Sequence, residues 1–138
     1  MRRFLIQSLI ICAGFLSGTT LAQLPPSKSQ GDITFITGGI GSDESSAIFA
    51  AAKQWSLLIE MSEIYGSGRG VWIAGIDIRL LNAKQQTLLE TVCDGPLMLL
   101  KAPAGQYTVE ATYQGKLLKR SVTVKEGDSQ KLTLFWRP

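Results

Sequence analysis

The stretch PAGQYTVEATYQGK, residues 103–116, carries the clearest structural signal in the chain. Apolar and aromatic residues occupy every second position of its central part: Tyr107, Val109, Ala111 and Tyr113. Threonine and glutamate fill the positions between them, so the pattern predicts a strand with one buried and one exposed face. Gln114-Gly115 then predicts a tight hairpin turn, because glycine readily adopts the positive φ that such turns require. The stretch therefore favours an antiparallel β fold.

Further strand patterns lie on both sides of this hairpin. They cover residues 33–36, 57–61, 72–80, 87–93 and 97–101, the Val122/Val124 segment, and 132–136. Turn residues separate them, among them the glycine-rich loop 66–70, the turn 82–86 and Asp94-Gly95-Pro96. One helix is predicted, with Ser42 as its N-cap and an apolar stripe at helical spacing formed by Ile48, Ala51, Ala52 and Trp55.

These elements predict a mainly β protein with one composite domain. Residues 71–136 hold six strand candidates and predict an antiparallel β-sandwich. Residues 32–66 form a strand-helix-strand element that we expect to pack against the edge or flank of that sandwich. Residues 23–31 are polar and contain two prolines, which predicts a flexible leader.

Residues 1–22 have the order of a secretory signal peptide. Two arginines at positions 2 and 3 precede an apolar run that is too short to cross a bilayer, and Thr20-Leu21-Ala22 resembles a small-x-small cleavage site. We expect a protein that is periplasmic or secreted after cleavage near Ala22, with no stable membrane insertion afterwards. Cleavage before Cys12, as in a lipoprotein, is disfavoured because Ile11 stands where a small residue is expected.

Composition after export excludes several classes of function. Losing Arg2 and Arg3 lowers the basic residues from 14 to 12 against 11 acidic ones, and the net charge from +3 to +1, so nucleic acid is not an expected partner. The exposed basic residues Lys116, Lys119, Arg120 and Lys125 are expected to line one solvated strand. The chain has no histidine, which removes the commonest general base and zinc ligand. Cys93 is left as a single thiol and is expected to be a small buried hydrophobe.

Residues 75–136 resemble the carboxypeptidase regulatory-like domains, which have a prealbumin-like (transthyretin-like) sandwich. The matching residues are Gly75-Ile76-Asp77-Ile78-Arg79-Leu80, the turn 82–86, Asp94-Gly95-Pro96 and Pro103-Ala104-Gly105-Gln106-Tyr107. In the last piece, Pro and Gly fix a turn, while Tyr107 is expected to bury its ring and reach backbone with its hydroxyl. Gln85 or Gln86 stands where a turn glycine is usual. The resemblance implies an accessory binding or structural role without enzymatic activity; the hydrolases of the same fold need histidines that this chain lacks.

Candidate sites are few, and we assign no catalytic, cofactor or metal residue. Gly38, Gly39 and Gly41 precede the helix, where a tight turn is favoured over a phosphate loop because Asp43 and Glu44 follow directly. A calcium site from Asp32, Asp43 and Glu44 lacks the ligand spacing that such sites show. The carboxylate pairs Glu60 with Glu63 and Asp77 with Glu90 are expected on exposed strand faces.

The expected function is a non-enzymatic binding or assembly module of the bacterial cell envelope that contacts another protein. Capture through a free sheet edge is expected, next to the loop 66–70 or the turn 38–42. The expected partner contacts are Gly38, Gly39, Gly41 and Trp136. The alternative is a carbohydrate-binding module that uses exposed aromatics; Trp55 and Trp72 are expected in the core, which leaves Trp136 for that role. A hydrolase acting through carboxylates is a remote third alternative.

Overall fold

The computed structural model describes residues 23–138, which form two packed β-sheets and one α-helix. The first strands are β1 (Lys28–Gln30), β2 (Ile33–Gly38), β3 (Leu57–Ile64), β4 (Gly70–Trp72) and β5 (Ile76–Asn82). The others are β6 (Thr87–Cys93), β7 (Leu97–Lys101), β8 (Gly105–Tyr113), β9 (Lys116–Val124) and β10 (Gln130–Trp136). The helix α1 (Ser42–Ala51) continues into a 3₁₀ turn (Ala52–Gln54). No helix in this part of the chain is long and apolar enough to cross a membrane.

The two sheets make up a β-sandwich, which confirms the predicted fold class. The first sheet has the order β1-β2-β7-β3-β10, with β4 also paired to β3, and the second has the order β6-β5-β8-β9. Every pairing is antiparallel except that of β3 with β10, which is parallel. β2 and β3 are thus central strands of one sheet rather than additions to its flank, and the sandwich is not confined to residues 71–136. Both faces of β3 are covered: Ile59 and Met61 lie in the core between the sheets, and Leu58 packs under α1 on the other side.

The main core fills the space between the sheets. The largest fully buried side chains there include Ile59, Met61, Ile78, Leu80 and Met98. The alternating residues of β8 point into it as predicted: Tyr107, Val109 and Ala111 are buried. The Tyr107 hydroxyl donates to the Pro103 carbonyl at 2.6 Å, which confirms the expected contact with backbone.

A second, smaller core lies on the outer side of the first sheet, under α1. Ile48 and Trp55 pack there on Ile36, Leu58 and Leu99, so the predicted apolar stripe does cover the sheet although the α-helix itself ends at Ala51. The predicted N-cap is wrong: Gly41 holds the cap position and makes no side-chain cap.

Two local predictions differ from the structure. The expected strand 72–80 is divided into β4 and β5, because Gly75 has a φ of 77° and turns the chain from one sheet to the other. Part of the expected leader 23–31 is the strand β1, which pairs with β2. The predicted signal peptide, with Cys12, lies outside the described residues.

Two predicted turns are confirmed. In the turn 82–86, Gln85 has a φ of 62°, a left-handed conformation that glycine adopts more readily than other residues. Gln114 and Gly115 have φ values of 49° and 77° and close the hairpin between β8 and β9. Both central residues of that hairpin thus lie in the left-handed region, as the favoured two-residue turn requires.

Candidate functional site

The residues expected to contact a partner are mostly buried. Gly38 and Gly39 are buried, and the Gly39 amide donates to a carboxylate oxygen of Glu44 at 2.7 Å. Side chains of Glu44 and Leu97 fill the space beside these two glycines, so only Gly41 of the three is exposed. Trp136 is 2% exposed, lies in the main core, and donates its indole N–H to the Lys116 carbonyl at 2.9 Å. Gly38, Gly39 and Trp136 therefore present almost no surface, and their role as contact residues is not proposed further.

The carboxylates considered as catalytic pairs do not converge. Glu60 and Glu63 lie on opposite faces of β3, and Glu63 is 4% exposed, so the prediction that both are solvated is wrong. The burial follows from register, since Glu63 lies opposite Trp136 on the core side of the sheet. In the second sheet Asp77 lies opposite Val92, while Glu90 pairs with Arg79. Among residues 23–138, no group of three or more Asp, Glu, Cys or His is placed to hold a metal ion.

The tryptophans are distributed differently from the prediction. Trp55 is 9% exposed, as expected of a core residue, but Trp72 is 43% exposed. Trp55 borders a cleft of about 460 Å³, and the Lys101 ammonium lies 4.8 Å from the centre of its ring. The positive charges of the lysines in this cleft are countered by Glu126 and Asp128, and Lys101 already covers the Trp55 ring. We therefore do not propose this cleft as the functional site.

Two of the sheet edges are occupied by side chains from the opposite sheet. At β6, the amide group of Gln30 accepts from the Glu90 N–H at 3.1 Å and donates to the Glu90 carbonyl at 3.0 Å, as a neighbouring strand would. At β9, the carbonyls of Lys116 and Thr123 accept hydrogen bonds from Trp136 and Gln130. These contacts engage both backbone groups of Glu90 and one carbonyl near each end of β9, and side chains placed there hinder the pairing of a further strand.

The edge of β10 is open. Among the strands of residues 23–138, β3 alone pairs with β10. The Gln130 amide donates to the Ser56 carbonyl at 3.1 Å, which fixes the direction of the backbone groups along the strand. Because successive residues of a strand direct their N–H and C=O groups to opposite edges, every second residue after Gln130 also faces β3. The residues whose backbone groups face the open edge are Lys131, Thr133 and Phe135. Within residues 23–138, no other segment bonds to these groups.

An aromatic face lies beside this edge, on the outer side of the first sheet. We define it as Phe49, Trp72 and Phe135, which are 38%, 43% and 46% exposed. Trp72 and Phe135 both lie in register with Ser62 of β3, and the rings of Phe49 and Trp72 are 6.1 Å apart. α1 covers the neighbouring part of the same sheet but not this part. Exposed aromatic rings seldom cluster on a protein surface. Such a cluster marks an interaction site more often than a single exposed apolar residue does.

Glu60 holds the aromatic face in place. It accepts a hydrogen bond from the Trp72 indole at 2.9 Å and forms an ion pair with Lys131, whose ammonium also lies 5.7 Å from the Phe49 ring centre. Burial alone would raise the pKa of Glu60, but the hydrogen bonds from Lys131 and Trp72 outweigh it and lower that pKa. The carboxylate is therefore charged at neutral pH and fixes both side chains.

The charges of the second sheet are balanced on its outer face but not on the side that faces the first sheet and β10. On the outer face of the second sheet, Glu90, Arg79, Glu110 and Lys119 alternate in sign across all four strands and neutralise one another. Lys116 and Arg120 of β9 form no ion pair within the described residues. Both lie on the side of β9 that faces the first sheet, since they are in register with Tyr113 and Val109. The Lys116 ammonium reaches across to the Arg137 carbonyl at 2.7 Å, next to the end of β10.

The sequence predicted capture through a free edge without indicating which one, and it gave no sign of the aromatic face. Of the four basic residues expected on one strand, Lys116, Lys119 and Arg120 lie in β9, on both of its faces, while Lys125 follows it. The three members of the aromatic face come from α1, β4 and β10, which are distant in the chain, so no local pattern connects them. Phe135 alternates with core residues Leu134 and Trp136, and that alternation was the one local signal of its exposure.

Comparison with known proteins does not assign the chain to a family. No protein-family model matches it, and no curated protein sequence matches it significantly. The open edge of β10 and the residues around it are therefore the features that bear on function.

Proposed function

We propose that this chain is an exported, non-enzymatic binding module that captures an extended segment of another cell-envelope protein along β10. One observation carries the proposal: the strand with the open edge, β10, also carries the exposed ring of Phe135, on the face of the sheet where Phe49 and Trp72 are exposed too. Backbone pairing gives affinity in such complexes, while pockets or rings beside the edge select side chains.

Two further features support capture by strand addition. Edges that carry no function are normally protected, as β6 and β9 are here by glutamine and tryptophan side chains. The loop 66–70 also lies at the end of β10, since the Arg137 guanidinium donates to the Gly66 carbonyl at 3.1 Å. A strand added to β10 would run past this loop.

Photo-crosslinking in cells that naturally produce the protein tests the proposal. A photoreactive phenylalanine analogue replaces Phe135, and in a matched control it replaces Val92, which is 56% exposed on the other sheet. We expect a discrete protein adduct from position 135 only. The substitution Thr133→Pro should abolish that adduct, because it removes a backbone donor that faces the open edge and leaves the bonds to β3 intact.

Three results would contradict the proposal: no adduct from position 135, an adduct that survives Thr133→Pro, or an adduct to polysaccharide. The last would favour the carbohydrate alternative. We do not put that alternative forward, because it depended on Trp136, which is buried.

Val92→Pro is the matched proline control, since Val92 alternates with Glu90, whose N–H also points to a sheet edge.

We also propose that the protein is periplasmic or secreted after cleavage near Ala22, and that residues 75–136 are related to the carboxypeptidase regulatory-like, prealbumin-like domains. The bond from the Tyr107 hydroxyl to Pro103 supports the second statement, because it uses the residues that carry the resemblance. Mass spectrometry of the mature N-terminus tests the first: Gln23 as first residue is expected, and an uncleaved or lipidated chain would contradict it.

A further inference from the structure

We infer that the segment captured by β10 carries acidic residues at two positions four residues apart, with apolar residues at the positions that alternate with them. This inference depends on the proposed function and specifies the chemistry of the partner. It follows from the position of Lys116 and Arg120 relative to the open edge.

Contacts at both ends of β9 and β10 fix the orientation of one strand against the other. Lys116 contacts Trp136 and Arg137, while Thr123 contacts Gln130 at the other end. The two strands therefore run in opposite directions, with Arg120 level with the middle of β10, near Thr133. Lys116 and Arg120 are four residues apart, or roughly 13 Å along the strand.

A strand added to β10 would have a different environment on each side of the sheet. Its side chains would alternate between the outer side of the sheet and the side facing β9. On the outer side they would lie beside the exposed Phe135 ring, which favours apolar residues. On the inner side they would approach Lys116 and Arg120, which favours Asp or Glu.

The cations Lys116 and Arg120 would disfavour an added strand that carries no carboxylate. Both side chains are exposed and bond to the carbonyls of Arg137 and Lys119, but neither has a carboxylate partner within the described residues. An apolar residue placed beside them would therefore desolvate a charge without an opposite charge to compensate. Inward-pointing charges at an edge exclude general strand pairing for this reason. A carboxylate at the same place forms an ion pair instead. The cations thus act as a selection device: they disfavour most strands, including a second copy's β10, and favour an acidic one.

Peptide binding to the mature protein tests the inference. The probe is a synthetic peptide of about nine residues that alternates valine with threonine and carries aspartate at two inward positions four residues apart. Its controls have asparagine or lysine at those two positions. By fluorescence anisotropy at low salt, we expect the aspartate peptide to bind about 10-fold more tightly than the asparagine peptide, and the lysine peptide to bind least.

Charge reversal in the protein is the matched variant. Lys116→Glu with Arg120→Glu should reverse the order, so that the lysine peptide binds best, and circular dichroism checks that the variant folds. Lys119→Glu is the control, because Lys119 points away from the first sheet and pairs with Glu110. It should leave the preference for aspartate unchanged. Raising the salt concentration should reduce that preference, since exposed ion pairs are screened.

The outcomes separate this inference from the proposed function. If all three peptides bind equally well and Thr133→Pro abolishes binding, strand capture stands and the acidic preference is wrong. If the aspartate peptide binds the Thr133→Pro variant as tightly as the original, the edge is not used and both proposals fail. If no peptide binds and the protein forms a concentration-dependent dimer that Thr133→Pro dissociates, the occupant is a second copy and the inference is overturned. If no peptide binds the monomeric protein, both proposals fail.

Discussion

Replacing Trp136 by alanine should strongly lower the free energy of unfolding. This effect requires no ligand, because it comes from the core. Trp136 is 2% exposed, contacts Tyr113 at a ring-centre distance of 5.9 Å, and donates a hydrogen bond to the Lys116 carbonyl. Truncating a buried tryptophan costs about 3–5 kcal/mol, which includes the transfer free energy and the cavity. At about 4 °C per kcal/mol for a domain of this size, the melting temperature should fall by about 12–20 °C.

Two variants separate the contributions. Trp136→Phe keeps most of the apolar surface but removes the indole N–H, so we expect a loss of about 1 kcal/mol in the free energy of unfolding. Phe135→Ala changes the next residue, which is 46% exposed, and should cost less than about 1 kcal/mol. Urea titration followed by far-ultraviolet circular dichroism measures all three. If Trp136→Ala lowered the free energy of unfolding no more than Phe135→Ala, Trp136 would not be the buried core residue described above.

Three more predictions concern single residues. Burial raises the pKa of the Cys93 thiol to about 12, so a thiol reagent at pH 8 should modify it only after denaturation; rapid labelling of the folded protein would contradict its position in the core. Because the folded-state pKa of Glu60 is lowered, its charged form stabilises the fold at neutral pH and this stabilisation is lost as the pH falls below the ordinary value of 4.5. Glu60→Gln should therefore be less stable than the original protein at pH 7, with the difference shrinking at pH 3 and with a changed Trp72 fluorescence; a difference independent of pH would contradict this. Gly95→Ala should cost about 1–3 kcal/mol, since a Cβ there overlaps the Gly38 carbonyl, and an unchanged melting temperature would show that this close approach is absent.

The sequence was sufficient to predict features that depend on near neighbours. Alternation in 107–113 predicted which side of β8 is buried, and Gln114-Gly115 predicted the hairpin, because both depend on local backbone geometry. The burial of Cys93 followed in the same way from the apolar residues around it.

Features that depend on distant pairing could not be predicted from the same patterns. Nothing local indicates that β10 lies parallel to β3, yet that pairing buries Trp136 and Glu63 and exposes Phe135. Trp72 had the correct spacing for the face of β5, but Gly75 separates the two and places Trp72 on the other sheet. A period of two identifies the faces of a strand without identifying the sheet that covers them.

The most direct test of the central claim is residue-resolved amide hydrogen exchange of the mature protein, free and with the aspartate peptide bound. In the free protein, the amides of Lys131, Thr133 and Phe135 should exchange fast because they face the open edge, while those of Leu132 and Leu134 are protected by β3. Peptide binding should slow Thr133 and Phe135 and leave Leu132 and Leu134 unchanged. Binding that leaves Thr133 and Phe135 in fast exchange would contradict strand addition at β10.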